Sequence, residues 1–371
     1  MIEPERLQQI DRTYVLWRGR KLSYFSGCDY YRLSSHPKLV RALATGLKEF
    51  GLSVAASRLT TGNHALYGEL EQRLARFFKT ETAVLVSSGY AANLVAAQAL
   101  AGQFSHALID DTAHPSLMDA SRFLDCPVLK FAHQSATELD STVRRCGPGS
   151  KLILLTDGMF SRDGSVAPLK EYLKVLPPDA LVLLDDAHGA GVLGEKGRGT
   201  MEHSGASHRR VIQTITLSKA FGAYGGAILG SRSLRTGVLK RSHLFVGSTP
   251  LPLPIVSAAL EALRIFETDR TLRSRLFEHT LRVRNALERA GLSLPETPGP
   301  IIALSAKQSS AASKLKGALL RARIYPAFIR YPGAPAAGYF RFVISSEHTA
   351  AQLENLAGVL IRNAHLVVPV T

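Results

Sequence analysis

Between residues 82 and 229 short apolar runs alternate with segments of helical spacing, and this pattern restricts the possible folds more than any other feature of the chain. Thr82–Val86, Ala107–Ile109, Pro127–Phe131, Lys151–Leu155, Leu181–Leu184, Val211–Thr216 and Gly226–Leu229 read as strands, rich in Val, Leu and Ile. Ala91–Ala101 and Leu117–Leu124 carry helical spacing between them. Continuous apolar strands separated by helices predict an α/β domain on a mainly parallel, buried sheet. Pro250-Leu-Pro-Leu-Pro254 closes that region, and an Arg-rich helical stretch, Val256–Ala290, leads to a smaller α+β part. There Ile301–Ser305 and Tyr339–Ile344 read as strands, and Ala350–Asn363 as a helix. The expected division is an N-terminal segment 1–45, a large domain 46–255 and a small C-terminal domain 256–371.

A chain of 371 residues, 46% hydrophobic and 20% charged, is long enough for such a core and a second, smaller domain. Its apolar runs are far shorter than the roughly 20 residues that span a bilayer. The start, with Glu3, Glu5 and Asp11, lacks the layout of a secretory signal. Cys28, Cys126 and Cys146 form no CxxC pair, and their odd number fits a reducing cytoplasm. The formal net charge of +15 favours anionic partners. A CoA thioester or an acidic carrier protein qualifies. Nucleic acid is not expected, because no basic–aromatic stripe and no zinc-finger spacing accompany the charge.

In open α/β sheets ligands sit at the carboxyl ends of the strands, and three such ends carry chemistry. Leu181-Val-Leu-Leu-Asp-Asp-Ala-His188 runs an apolar strand into two carboxylates and an imidazole. Paired like charges need compensation, which a cationic ring nitrogen supplies; a solvated terminus or an Asp–His metal pair are the plainer readings. The following Gly189-Ala-Gly-Val-Leu-Gly194 matches GxGxxG, but Asp-Asp-Ala-His intervenes after the strand and no acid ends the next one. A dinucleotide fingerprint turns directly from strand to helix, so these glycines are expected to form a loop.

Thr214-Ile-Thr-Leu-Ser-Lys219 places an amine just past a strand, beside Thr216 and Ser218. A lone lysine is usually a surface charge, yet lysine is also the nucleophile for aldehyde cofactors. Ser87-Ser-Gly-Tyr-Ala-Ala-Asn93 opens a helix whose amides suit an anion, with Gly89 permitting close approach. The same residues suit an ordinary helix cap, and Tyr90 reads equally as a core aromatic or a ligand contact. His114 lies in a loop before a helix, where a ring stacks on a flat heterocycle or is merely solvated.

Taken in order, these stretches resemble the α-oxoamine synthase branch of the fold-type I pyridoxal-phosphate (PLP) enzymes. The resemblance also rests on Ser57-Arg-Leu-Thr-Thr-Gly62, His114-Pro-Ser-Leu117, Asp157-Gly-Met-Phe-Ser-Arg-Asp-Gly164, Gly194-Glu-Lys-Gly-Arg-Gly199, Gly247-Ser-Thr-Pro250 and Phe340–His348, and so spans nearly the whole chain. It implies the aspartate-aminotransferase-like fold and a decarboxylative condensation of an amino acid with an acyl thioester. It implies PLP on Lys219, Asp185 at the pyridinium, His188 at the phenolic oxygen with Ser161 near it, and His114 stacked on the ring. Ser88, Gly89, Tyr90 and Thr216 would hold the phosphate. Ser248 and Thr249 would reach it from a neighbouring subunit, so a homodimer is implied. Arg341 would take the substrate carboxylate, and Arg58 would contact substrate.

Ile329-Arg-Tyr-Pro332 leans towards the members that join alanine to a pimeloyl thioester, with glycine-using synthases and other acyl-chain synthases as the nearest alternatives. A non-catalytic PLP-fold subunit is disfavoured by the presence of Lys219. Three departures bear on the substrate walls: Cys28 stands where the family has Asn, Asp157 where it has Glu, and Gly333-Ala-Pro335 where it has Thr-Val-Pro.

Overall fold

The computed structural model describes residues 5–330 and 338–370. Three short antiparallel strands open it, β1 (Gln8–Asp11), β2 (Tyr14–Trp17) and β3 (Arg20–Ser23). The helices α1 (Pro37–Phe50) and α2 (Ala65–Phe78) follow. Strands and helices then alternate: β4 (Thr82–Val86), α3 (Gly89–Ala99), β5 (His106–Asp110), α4 (Pro115–Ser121), β6 (Val128–Phe131), α5 (Ala136–Cys146), β7 (Leu152–Asp157), α6 (Leu169–Val175), β8 (Leu181–Asp185), α7 (Thr200–Ser204), β9 (Val211–Thr216) and β10 (Gly226–Gly230). Helices α8 (Arg232–Arg241), α9 (His243–Val246), α10 (Leu253–Thr268) and α11 (Leu272–Arg289) lead to β11 (Ile301–Ala306), α12 (Ser309–Arg321), β12 (Phe328–Ile329), β13 (Tyr339–Val343), α13 (Ala350–Arg362) and β14 (Val367–Pro369).

The chain falls into two compact units. The larger comprises Leu33–Ser161 and Val166–Asp269; the smaller comprises Met1–Arg32, Arg162–Ser165 and Arg270–Thr371. Helix α10 thus belongs with the larger unit, where it packs along α1: a Cβ on Gly46 would come within 3.1 Å of Pro254 Cα.

In the larger unit seven strands run in the order β4-β10-β9-β8-β7-β5-β6. The four pairings from β9 to β6 are parallel, and β10 is antiparallel to both its neighbours. A strand connected by a hairpin must reverse direction, whereas a parallel neighbour needs a crossover; β9 and β10 are joined by only nine residues. The apolar runs alternate between two cores. Ile153, Leu155 and Leu183 face α3, α4 and α8, while Leu152, Leu154, Val182 and Leu184 face α5 and α6. Each such side chain contributes about 1.5–3 kcal/mol when buried, and burial on both faces is why these strands lack polar alternation.

The smaller unit has a four-stranded antiparallel sheet, β12-β13-β11-β14, with Phe340, Phe342, Ile302 and Leu304 packed against α11, α12 and α13. The expected strands Ile301–Ser305 and Tyr339–Ile344 are β11 and β13. The Tyr331–Pro332 half of the Ile329–Pro332 stretch, and Gly333-Ala-Pro335, lie outside the described residues.

A buried histidine braces this unit. His348 Nε2 donates to the Tyr24 carbonyl at 3.1 Å, its Nδ1 accepts from the Ser345 N–H at 3.0 Å, and its ring stacks on Phe25 at 4.1 Å. With one nitrogen donating and the other accepting, the ring is neutral, and burial, reinforced by the Arg32 charge, pushes its pKa from 6.5 down to about 3. Between those values the unfolded chain binds a proton that the native chain does not. Its contribution is therefore complete above about pH 6.5 and is lost as pH falls towards 3, with a slope of up to about 1.4 kcal/mol per pH unit. Urea unfolding at stepped pH is expected to show this acid limb, and His348→Gln is expected to flatten it.

Candidate functional site

The carboxyl ends of β7, β8 and β9 and the amino end of α3 bring most of the singled-out residues together in the larger unit. Ser88 caps α3, its Oγ accepting the Ala91 N–H at 3.1 Å. The first turn of a helix carries N–H groups with no intrahelical partner, and α3 opens on Gly89. That glycine is required. A Cβ at residue 89 would lie 2.7 Å from Thr216 Cβ. Thr216, at the end of β9, is itself held by Ser218 Oγ at 2.6 Å and donates to the Gly225 carbonyl at 3.1 Å.

Lys219 sits half-buried in the β9–β10 hairpin loop. The loop is closed by Leu217 N–H to the Gly225 carbonyl at 2.9 Å and by Gly222 N–H to the Lys219 carbonyl at 3.0 Å. Gly222, at φ 61°, packs so closely on Leu33 and Ser34 that no side chain fits. The backbone bearing Lys219 is thereby set.

The two carboxylates after β8 point to different tasks. Asp186 is fully buried and accepts from Thr200 Oγ1 at 2.7 Å, Thr200 N–H at 2.8 Å and Gln213 Nε2 at 2.7 Å. It organises the glycine stretch from Gly189 to Gly199, which is a loop, as the intervening Asp-Asp-Ala-His predicts. Burial raises its pKa to about 6 in spite of those donors. Asp185 Oδ2 accepts from Asn93 Nδ2 at 2.6 Å, and its Oδ1 from the Ala187 N–H at 3.0 Å. These donors are neutral amides, and a cationic ligand nitrogen would add the charge that they lack. His188, two residues beyond Asp186, is buried as well.

His114 caps α4. Its Nδ1 lies 2.7 Å from Ser116 Oγ, and its backbone N–H donates to Asp157 Oδ2 at 2.8 Å. Burial lowers its pKa; the Asp185 charge opposes this and the Lys219 charge adds to it, so the field of both groups reaches the ring. Asp157, fully enclosed at the end of β7, is pushed well above the usual carboxylate range by burial and by Asp185. Amine, carboxylate, imidazole and helix amides thus converge on one region, the donor set a pyridinium aldehyde phosphate requires.

Sequence reasoning assigned no role to Asn93 or Ser116. Asn93 is fully buried: its Nδ2 donates to both Asp185 and Ser116 Oγ (2.9 Å), and its Oδ1 accepts from Thr214 Oγ1 at 2.6 Å. One signal was available. Asn93 lies one turn after Gly89 in a helix of Ala, Leu and Val, where a buried amide needs a partner.

The remaining residues have other surroundings. Tyr90 is exposed, and its hydroxyl bonds Asp119; its ring meets His114 edge-on at 6.2 Å. Ser161 is half-buried. Ser248 and Thr249 are exposed and, with Arg58, Ser88 and Tyr90, line a cavity of about 200 Å³. Arg58 is committed to buried Glu71, which also accepts from Arg235 at 2.9 Å and the Leu85 N–H at 3.0 Å. Arg341 belongs to the smaller unit, on β13. Both its Nη atoms lie 3.7 Å from Cys28 Sγ. Burial opposes its charge, but Cys28 and Tyr30 hold its pKa above the arginine norm.

Fold and donor set define a PLP-dependent transferase of fold type I. The family model for aminotransferase class I and II matches residues 25–360, and the chain belongs to that family, as an acyltransferase of its α-oxoamine synthase branch. It is 36% identical to the 8-amino-7-oxononanoate synthase of Thioalkalivibrio sulfidiphilus over 93% of this chain and 89% of that protein. The solved serine palmitoyltransferase of Sphingomonas wittichii superposes at TM-score 0.88 with 28% identity, covering 96% of this chain and 91% of that one. The solved 8-amino-7-oxononanoate synthase of Francisella tularensis superposes at 0.80 with 25% identity, covering 93% and 98%. Among the described residues no helix is long and apolar enough to cross a membrane.

Proposed function

We propose that this chain joins L-alanine to a pimeloyl thioester, carried by CoA or by a carrier protein, releasing carbon dioxide and free thiol and giving 8-amino-7-oxononanoate for biotin biosynthesis. The observation that carries this reading is the 36% identity, sustained over 93% of the chain, to a synthase of that name.

When bound, PLP supplies an electron sink that takes up the pair left at the amino acid α-carbon. The chain's residues do the rest. Lys219 would hold the cofactor through its Nζ, and the same amine would take and return a proton at the substrate α-carbon. Asp185 keeps the ring nitrogen protonated, and Asn93 fixes that carboxylate's direction. His114 would pack on the ring, and burial lowers its pKa, which favours the neutral imidazole there. His188 and Ser161 bond the phenolic oxygen. Ser88, Gly89, Tyr90 and Thr216 receive the phosphate, joined by Ser248 and Thr249 from a second copy of the chain in a homodimer. Arg341 takes the substrate carboxylate by a two-pronged contact, and Cys28, where relatives carry Asn, aligns its fork. Arg58, which pairs with Glu71 and lines the same cavity as Ser88 and Tyr90, contacts the substrate there.

Gly89→Ala drives a methyl group into Thr216. Overpacking of this kind costs about 1–3 kcal/mol, here spent on separating α3 from β9, so PLP affinity is expected to fall by about tenfold or more in a titration of the apoenzyme.

The substrate reading is tested by thiol release from acyl-CoAs ranging from acetyl to palmitoyl, and from pimeloyl-carrier protein, each paired with alanine, glycine or serine. Release with alanine and a pimeloyl donor is expected. The similarity to serine palmitoyltransferase favours a second reading, serine with a long acyl chain. Turnover with that pair alone, or with glycine and acetyl-CoA alone, overturns the first.

A further inference from the structure

The parallel strands have a second functional-looking end. At the amino ends of β8 and β9, opposite the residues described above, lies a half-open cleft of about 410 Å³ between α8, the end of α3 and the turn 208–210. That volume falls in the range of small-ligand sites. Its lining holds Arg209, Arg210, Lys240 and Arg241 and no carboxylate.

Arg210 spends its guanidinium on the carbonyls of Pro177 (2.7 Å) and Leu173 (2.8 Å), which orients it but leaves its charge unneutralised. None of the four takes part in an ion pair among the described residues. Four positive charges around one concavity repel each other and raise the local concentration of anions. The nearby His208 has its Nδ1 buried and, among the described residues, without a hydrogen-bond partner, and a buried polar atom of this kind calls for a ligand or a water. The start of α8 adds the Ser231 and Ser233 hydroxyls, 2.8 Å apart, at the positive end of a ten-residue helix. Gln103 Nε2 covers the Ala99 carbonyl at 3.2 Å, which blunts the opposing end of α3.

The floor is different in kind. Leu100, Leu181, Val211, Ile212 and Leu234 make it apolar. An apolar floor under a cationic rim matches a flat base joined to phosphates. From these observations we infer that the cleft is a binding site for a nucleoside di- or triphosphate, separate from the catalytic centre. Leu181 and Asp185 stand at opposite ends of β8, as do Val211 and Thr216 of β9. At about 3.3 Å per residue the two sites lie on the order of 15 Å apart through the sheet, so the nucleotide does not occupy the PLP pocket.

The test is calorimetric titration of PLP-saturated holoenzyme with ADP at near-physiological ionic strength, beside the variant R209Q/K240Q/R241Q. One saturable site is expected in the wild-type chain. Removing three charge-assisted contacts is expected to weaken it by about tenfold or more, with turnover and cofactor absorbance unchanged, which shows that the variant is folded. No saturable binding by the wild-type chain, or equal binding by the variant, overturns the inference. Neither result touches the thiol-release outcome on which the proposed catalytic function rests.

Discussion

Lys219→Ala is expected to abolish measurable turnover, a loss of at least about 10⁴-fold, and to remove the visible absorption of lysine-bound PLP. Two functions vanish together: the covalent hold on the cofactor and the base at the α-carbon, the latter alone being worth about 10²–10⁴-fold. The hairpin loop around residue 219 is closed by main-chain hydrogen bonds and by the packing of Gly222 on Leu33 and Ser34. Removing the side chain therefore leaves the backbone in place, and thermal unfolding of the variant should stay close to wild type. An added small primary amine is expected to restore a fraction of the turnover, because what is missing is an amine and not a shape.

The second large effect is expected from Asp185→Asn. The side chain keeps its size, and the Ala187 N–H that donates to Oδ1 at 3.0 Å can still bond an amide oxygen. The charge is lost. Without it the ring nitrogen of bound PLP loses its proton, and turnover should drop by about 10²–10³-fold, similar to the loss of one preorganised electrostatic contact in other active sites. The amide also meets the Asn93 Nδ2 donor at the position where Oδ2 accepted at 2.6 Å, so weaker PLP affinity is expected alongside. Asn93→Ala separates the two effects: the charge stays while its orientation is released, and a smaller fall in kcat with nearly unchanged cofactor absorbance is the expected outcome.

Much of this site was legible because its chemistry interrupts strong patterns. An apolar strand that ends in Asp185-Asp-Ala-His188, and another followed by Ser218-Lys219, stand out against runs of Leu, Val and Ile. The strands themselves were legible because a sheet buried on both faces leaves little ambiguity in the pattern, and the observed β4, β9 and β13 begin where the apolar runs begin. What the pattern hides is direction and partnership. Whether Gly226–Gly230 runs parallel or antiparallel depends on the hairpin that carries Lys219, and nothing in Gly-Ala-Ile-Leu-Gly itself reports this. The strands β1 and β2 carry mostly exposed or half-buried residues, so they lack the period that would have marked them. The partner of Asn93 was hidden for a related reason: Asp185 is 92 positions away, and only the fold brings them to 2.6 Å. Asp186 shows the converse. In the sequence it is one of two adjacent charges that need compensation, and the structure places it on Thr200 and Gln213, where it holds a loop.

The account turns on one lysine, and the most direct measurement looks for the cofactor on it. Borohydride reduction of the purified holoenzyme, followed by proteolysis and mass spectrometry, should find a phosphopyridoxyl group on the peptide that carries Lys219 and on that residue alone. A label on another lysine, or a reduced enzyme with no label at all, contradicts it.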